Sequence, residues 1–222
     1  MRRLAEVAGV LWLGLGSMGA GASDAHDGAR VHVTARLYDS AALRPESRAG
    51  AAAEAGAILG AAGLDVQWLD CSPPVGPAVR EPCARVPDRA EVVVRILGTS
   101  APGRPGEPLP LGYALVDPRR ELGVLATVYL DRVTILAGVA GAEPTRLLGR
   151  AVAHELTHLL IGRNEHGTHG LMRPVWSSDD VRLDRPDDWQ LHPTDARAAL
   201  AAIARRAGPR QASRPRPPRS EA

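Results

Sequence analysis

His154, Glu155 and His158 stand in the order H-E-x-x-H, and four of the chain's seven histidines fall between positions 154 and 169. On an α-helix over 144–161 the two histidines four apart share a face, where both imidazoles reach one ion. Glu155 then sits where it can act on a water at that ion without binding the ion itself. Zinc takes nitrogen donors at about 2.0–2.1 Å, and a catalytic zinc keeps three protein ligands and a fourth position for water. The pattern therefore predicts a hydrolytic Zn2+ centre with one more ligand beyond the helix. Gly162 is suited to end the helix with φ > 0, and the four residues from there to His166 span up to about 13 Å, enough to double back. His169, Asn164 and Glu165 compete for the role. His169 could reach the ion as well. Asn164 is a weak zinc ligand, and Glu165 would make a site normally completed from a separate helix. The metal set expected is His154, His158 and His166, with Glu155 as catalytic base. Neutral imidazole is required for binding, so protons should compete below about pH 6.

Several elements must position this set. Val31–Tyr38 and Leu64–Leu69 alternate apolar and polar residues as half-buried strands do, and an Ala-rich helix over 46–62, closed by Gly63, separates them. A strand-helix-strand unit of this kind predicts a parallel pair. Glu91–Leu97 is apolar enough for a central strand. Leu111–Val116 and Val124–Leu130 are short strands around a turn at 117–120, with Val124–Leu130 taken as the edge on which an extended substrate would pair. A short helix is expected over 131–138, and Pro144 opens the active-site helix. Its apolar residues Leu147, Leu148, Val152, Leu156, Leu159 and Leu160 predict a stripe packed on the sheet. Residues 71–88, 99–110 and 176–189 are expected to be loops. A last helix capped by Thr194 runs to about Arg206, with Leu200 and Ile203 inward. The fold class expected is α+β, with five candidate strands, an active-site helix and a C-terminal helix.

The 222 residues suit one domain. The chain lacks both Lys and Phe while Ala, Gly, Pro and Arg abound. This is a codon bias, so the Arg richness is no signature of nucleic-acid binding, and the net charge of +2 agrees. Arg2 and Arg3, the apolar run Val7–Met18 and Ala20-Gly21-Ala22 form an export signal over 1–22, too short to span a bilayer. That places the folded domain at 23–207, secreted or periplasmic, with no stable membrane insertion after cleavage. The Pro/Arg-rich tail 208–222 has nothing to bury and is expected to be disordered. Outside the cytoplasm Cys71 and Cys83 should form a disulfide.

These residues resemble the metzincin clan of zinc peptidases, particularly small secreted bacterial proteins of matrixin-like or archaemetzincin-like type. The clan's pattern is HExxHxxGxxH followed by a Met-turn. His154, Glu155, His158 and the turn Gly170-Leu171-Met172 follow it, whereas Gly162 comes one residue late and Asn164 occupies the usual third-ligand position. The resemblance implies a zinc endopeptidase with a mixed sheet ahead of the active-site helix, acting on a protein or peptide substrate. The same site would also serve a zinc amidase or carboxypeptidase on cell-wall or small substrates. A non-catalytic domain holding a structural zinc, with His169 as fourth ligand, is the remaining alternative. Residues 82–88 faintly resemble the cysteine switch of matrixin propeptides, but an extra residue spoils that pattern.

Overall fold

A computed structural model describes residues 31–74, 77–99 and 110–207, with backbone alone described at 77–80 and 207. The expected signal at 1–22, most of the turn-rich stretch 99–110 and the tail 208–222 lie outside these residues. Strands β1 (Val31–Asp39), β2 (Leu64–Asp70), β3 (Glu91–Leu97), β4 (Gly112–Asp117) and β5 (Leu122–Tyr129) form one sheet in the order β2-β1-β3-β5-β4. All neighbours are parallel except the hairpin β4–β5. Helix α1 (Pro45–Ala61) connects β1 to β2 as the pattern required. Helices α3 (Leu130–Ala140), α4 (Pro144–Ile161) and α6 (Pro193–Ala207) follow the sheet.

The expected edge strand is corrected. β5 lies inside the sheet between β3 and β4, and β4 forms the edge. Burial explains the order. Ala126, Thr127 and Val128 of β5 are buried in succession, as a strand with neighbours on both sides is, whereas β4 alternates and exposes Tyr113, Leu115 and Asp117.

Helix α4 carries more than an apolar stripe, because every residue from Leu147 to Ile161 is buried. Close approach by its neighbours makes this possible. A Cβ on Gly149 would stand 2.6 Å from the Ala51 carbonyl oxygen, so α1 packs backbone to backbone against α4. At the far end Arg206 of α6 donates to the carbonyls of Leu159 and Gly123, tying α4 to β5.

Three expected loops or caps also differ. Residues 71–88 contain helix α2 (Pro77–Ala84), whose prolines disguised it. Proline is tolerated in a first helical turn, and Pro82 falls close to the end of so short a helix. Residues 176–189 contain α5 (Ser178–Leu183) and a 3-10 turn at Pro186–Trp189. A capping box that the acidic composition hid starts α5: the Asp180 amide donates to Ser177 Oγ at 3.1 Å, and the Ser177 amide to Asp180 Oδ2 at 2.8 Å. Helix α6 begins at Pro193, and the Thr194 amide donates to the His192 ring at 3.3 Å, so Thr194 lies within the helix it was expected to cap.

Cys71 and Cys83 form the expected disulfide, with Cα atoms 5.6 Å apart. It fixes the end of α2 over the sheet face opposite α4, where Tyr38 donates to the Cys83 carbonyl at 3.1 Å. Beneath it Arg36, fully buried, donates to Glu91 at 2.6 Å and to the Arg85 carbonyl at 2.7 Å. Arg85 also pairs with Glu91, at 2.5 Å. Desolvation opposes ionisation of Glu91, but the Asp88 amide, Arg85 and Arg36 outweigh it and hold the carboxyl below its usual range. Glu91→Gln is expected to destabilise the fold by about 3–5 kcal/mol, since it strands a buried guanidinium. Chemical denaturation at pH 7 checks this. A folded pKa below the unfolded one contributes stability above about pH 4.3, lost as pH falls through the folded value, so the wild type should lose its advantage in acid.

Candidate metal centre

The histidines are positioned by how α4 begins and ends. Pro144 takes the first helical position, and Glu143 caps the helix by accepting from the amides of Thr145 at 2.9 Å and Arg146 at 2.7 Å. Gly162 ends it in the left-handed conformation, φ 81° and ψ 28°, its amide donating to the His158 carbonyl at 2.9 Å. A Cβ there would meet the Glu121 carbonyl at 2.2 Å, so space as well as φ requires glycine. The reversal carries the Arg163 carbonyl back to His158 and brings His166 alongside.

His154, His158 and His166 converge through their ring nitrogens. Nε2 of His158 lies 3.1 Å from Nε2 of His154 and 3.2 Å from Nε2 of His166. Two of the tautomers follow from the partners of Nδ1. His154 Nδ1 is 2.8 Å from the Leu171 carbonyl oxygen, and His158 Nδ1 is 2.9 Å from that of Arg163. A carbonyl only accepts, so in each neutral ring Nδ1 carries the proton and Nε2 presents a lone pair. The 3.1 Å contact between His154 and His158 is therefore no hydrogen bond: two lone pairs face one another, which is unfavourable unless a cation lies between them. Two nitrogens at about 2.0–2.1 Å on a tetrahedral ion are separated by about 3.3 Å, close to what is seen.

Desolvation favours the neutral form of all three rings, although His166 itself is exposed. Desolvation, reinforced by His158, lowers the His154 pKa to about 3. His158 and His166 are lowered too, chiefly by desolvation. Proton competition with a metal thus sets in at lower pH than for free imidazole, which moves the expected limit near pH 6 downward.

Glu155 is buried, and its Oε2 has no hydrogen-bond partner. Desolvation alone pushes its pKa up to about 8. A cation at the histidines would favour the charged form and reverse that shift. An orphaned buried carboxyl beside three convergent neutral imidazoles fits a metal and its water. The carboxyl also lies against edge strand β4, where a Cβ on Gly112 would approach Glu155 Oε1 to 2.9 Å. Glycine at 112 makes room for the carboxylate.

Among the described residues, these three histidines are the group whose ligand atoms lie within 4.8 Å of one another. His169 stands apart, exposed, its Nδ1 2.7 Å from Thr168 Oγ1. Glu165 is exposed, and Asn164 lines the cleft without joining the cluster. His32 pairs with Asp65 at 2.7 Å on β1 and β2. Tyr129 packs under the Arg132 guanidinium, 4.5 Å from its ring centre.

The turn Gly170-Leu171-Met172 is held by Gly170 at φ 69°, by the Leu171 amide donating to Gln190 at 2.9 Å, and by Met172 accepting from Gly167 at 2.9 Å. Sequence reasoning missed three groups here: the Leu171 and Arg163 carbonyls that set the tautomers, and Trp176, whose ring meets His154 edge-on. Main-chain acceptors leave no trace in residue identity. Trp176 offered a signal, an aromatic four residues beyond the buried Met172. The histidines and Glu155 lie in a cleft of about 640 Å³ that is also lined by the apolar residues Ile135, Leu136, Val139, Val175 and Trp176.

No family model and no curated protein matches the chain. Among solved structures it is similar to archaemetzincin from Methanopyrus kandleri, at 16% identity and a TM-score of 0.48, over 79% of this chain and 96% of that one. It is also similar to metalloproteinase-II from Bacteroides fragilis, at 12% identity and a TM-score of 0.48, over 79% of this chain and 54% of that one, so it spans about half the length of the second.

Proposed function

We propose that this chain is a zinc-dependent endopeptidase, with His154, His158 and His166 as metal ligands and Glu155 as general base. The observation that carries the reading is the pair of tautomer-fixed Nε2 lone pairs 3.1 Å apart beside a buried, partnerless carboxyl. Three convergent ligands with His169 elsewhere favour a catalytic over a four-ligand structural site. Bound there, zinc supplies a Lewis acid and brings the pKa of a water to about 7. Glu155 takes the proton of the attacking water and hands it to the leaving nitrogen, a role that requires an acceptor free of other hydrogen bonds. Its dry surroundings keep the carboxylate from being solvated in competition.

The substrate would lie extended along β4. The Tyr129 amide donates to the Leu111 carbonyl at 2.8 Å, so in the antiparallel ladder Leu111 and Tyr113 bond to β5 while the peptide groups of Gly112 and Ala114 turn outward. Both line the cleft, and main-chain pairing there holds peptides of mixed sequence. The apolar lining by Ile135, Leu136, Val139, Val175 and Trp176 suits a large apolar side chain of the substrate. Export to the periplasm or beyond, read from residues 1–22, is supported by the disulfide. No helix among the described residues is long and apolar enough to cross a membrane.

Purified protein is expected to hold about one zinc per chain and to digest an unstructured protein such as casein. A chelator should stop digestion and added zinc should restore it. Zinc without hydrolysis of proteins or peptides would favour a structural site, and absence of zinc binding would sink the proposal.

A further inference from the structure

We infer that Trp176 is a positioning residue for His154, an inference that rests on the metal-site reading above. The Leu171 carbonyl oxygen accepts from His154 Nδ1 at 2.8 Å and from Trp176 Nε1 at 3.3 Å. A carbonyl oxygen has two lone pairs, and two donors on this one restrain the direction in which it points. The indole ring also meets the His154 imidazole edge-on, with centroids 5.5 Å apart and planes at 85°. One side chain thus restrains the imidazole twice, through the acceptor of its proton and through its face. An imidazole is free to turn about its last torsion, which is broad and roughly two-fold, and a half turn would put the carbon Cε1 in place of Nε2 at the cluster and Cδ2 in place of Nδ1 against the carbonyl.

Trp176 is itself held from behind. Its ring meets Trp189 edge-on, with centroids 5.1 Å apart, and the Arg150 guanidinium lies 4.0 Å over the Trp189 ring. Arg150, with its side chain 3% exposed, is fixed in turn by Glu54 at 3.2 Å and Asp184 at 2.5 Å. An aromatic column therefore runs from the candidate ligand to a part-buried ion-pair cluster joining α1, α4 and the end of α5. Among the described residues no such column backs His158, whose Nδ1 acceptor is the Arg163 carbonyl at the helix end.

The test measures zinc affinity by chelator competition and the His154 tautomer by 15N NMR of the metal-free protein. Groups of this kind around a metal typically contribute about 10–100-fold in affinity, and Trp176→Ala is expected to weaken zinc binding by that factor. It should also populate the Nε2–H tautomer of His154, which a loss of general stability would not do. Trp176→Phe keeps the ring but loses the N–H, and should fall between Ala and wild type. Trp68→Phe, which removes an indole N–H without an acceptor on β2, outside the column, is the control expected to bind as the wild type does. A folded Trp176→Ala protein with wild-type affinity and an unchanged tautomer would overturn the inference. If that variant does not fold, Trp176→Phe decides: weaker binding with a mixed tautomer supports the role, and no change in either overturns it. Failure of the wild type to bind zinc would instead reject the metal-site reading.

Discussion

Glu155→Gln is expected to keep its zinc and lose hydrolysis by about 10²–10⁴-fold, the range attributed to a positioned general base. The substitution is close to isosteric. Glu155 touches β4 at Gly112 and leaves Oε2 without a partner, so an amide fits the same space and breaks no existing side-chain hydrogen bond. It even removes a group whose ionisation burial opposes, so thermal stability should hold or rise in the metal-free protein. What disappears is the proton acceptor. Metal content by mass spectrometry, melting temperature and turnover of a fluorogenic peptide separate the three effects. Unchanged turnover would reject Glu155 as the base.

His166→Ala should lose most of its zinc, while His169→Ala should retain it. The two residues are close in sequence yet differ in place: His166 Nε2 is 3.2 Å from His158 Nε2, whereas His169 is exposed and bonded to Thr168. Removing one of three nitrogen donors leaves the two on α4 and an incomplete shell. The fold should tolerate the change, because His166 is exposed and outside the core. Zinc titration of both variants checks this, and retention of zinc by His166→Ala with loss in His169→Ala would reassign the third ligand.

Much of this arrangement is legible in residue order. The strand-helix-strand unit from Val31 to Asp70 follows from alternation and from Gly63, because burying one face of a strand imposes a period of two whatever the rest of the chain does. The span of α4 follows from Pro144 and Gly162, since both ends are set by backbone constraints of single residues. The prolines of 71–88 and the acidic run of 176–189 misled because composition is a weaker guide than capping: Ser177 and Asp180 already marked a helix start.

By itself the sequence determined the chemistry available: two imidazoles one helical turn apart, a carboxyl between them, and a glycine able to turn the chain toward further histidines. These are local matters, set by helix geometry and by the φ that Gly162 alone adopts without strain. Only the tertiary structure decided what depends on partners distant in the chain. It put β4 and not β5 at the sheet edge, because pairing with β3 is a choice between strands that each satisfy the local pattern. It buried Glu155 and left its Oε2 without a partner, because every residue of α4 from Leu147 to Ile161 is packed against neighbours distant in the chain. And it set the His154 tautomer through the Leu171 carbonyl, a main-chain group common to every residue, whose direction depends on the fold around it and not on the side chain at that position.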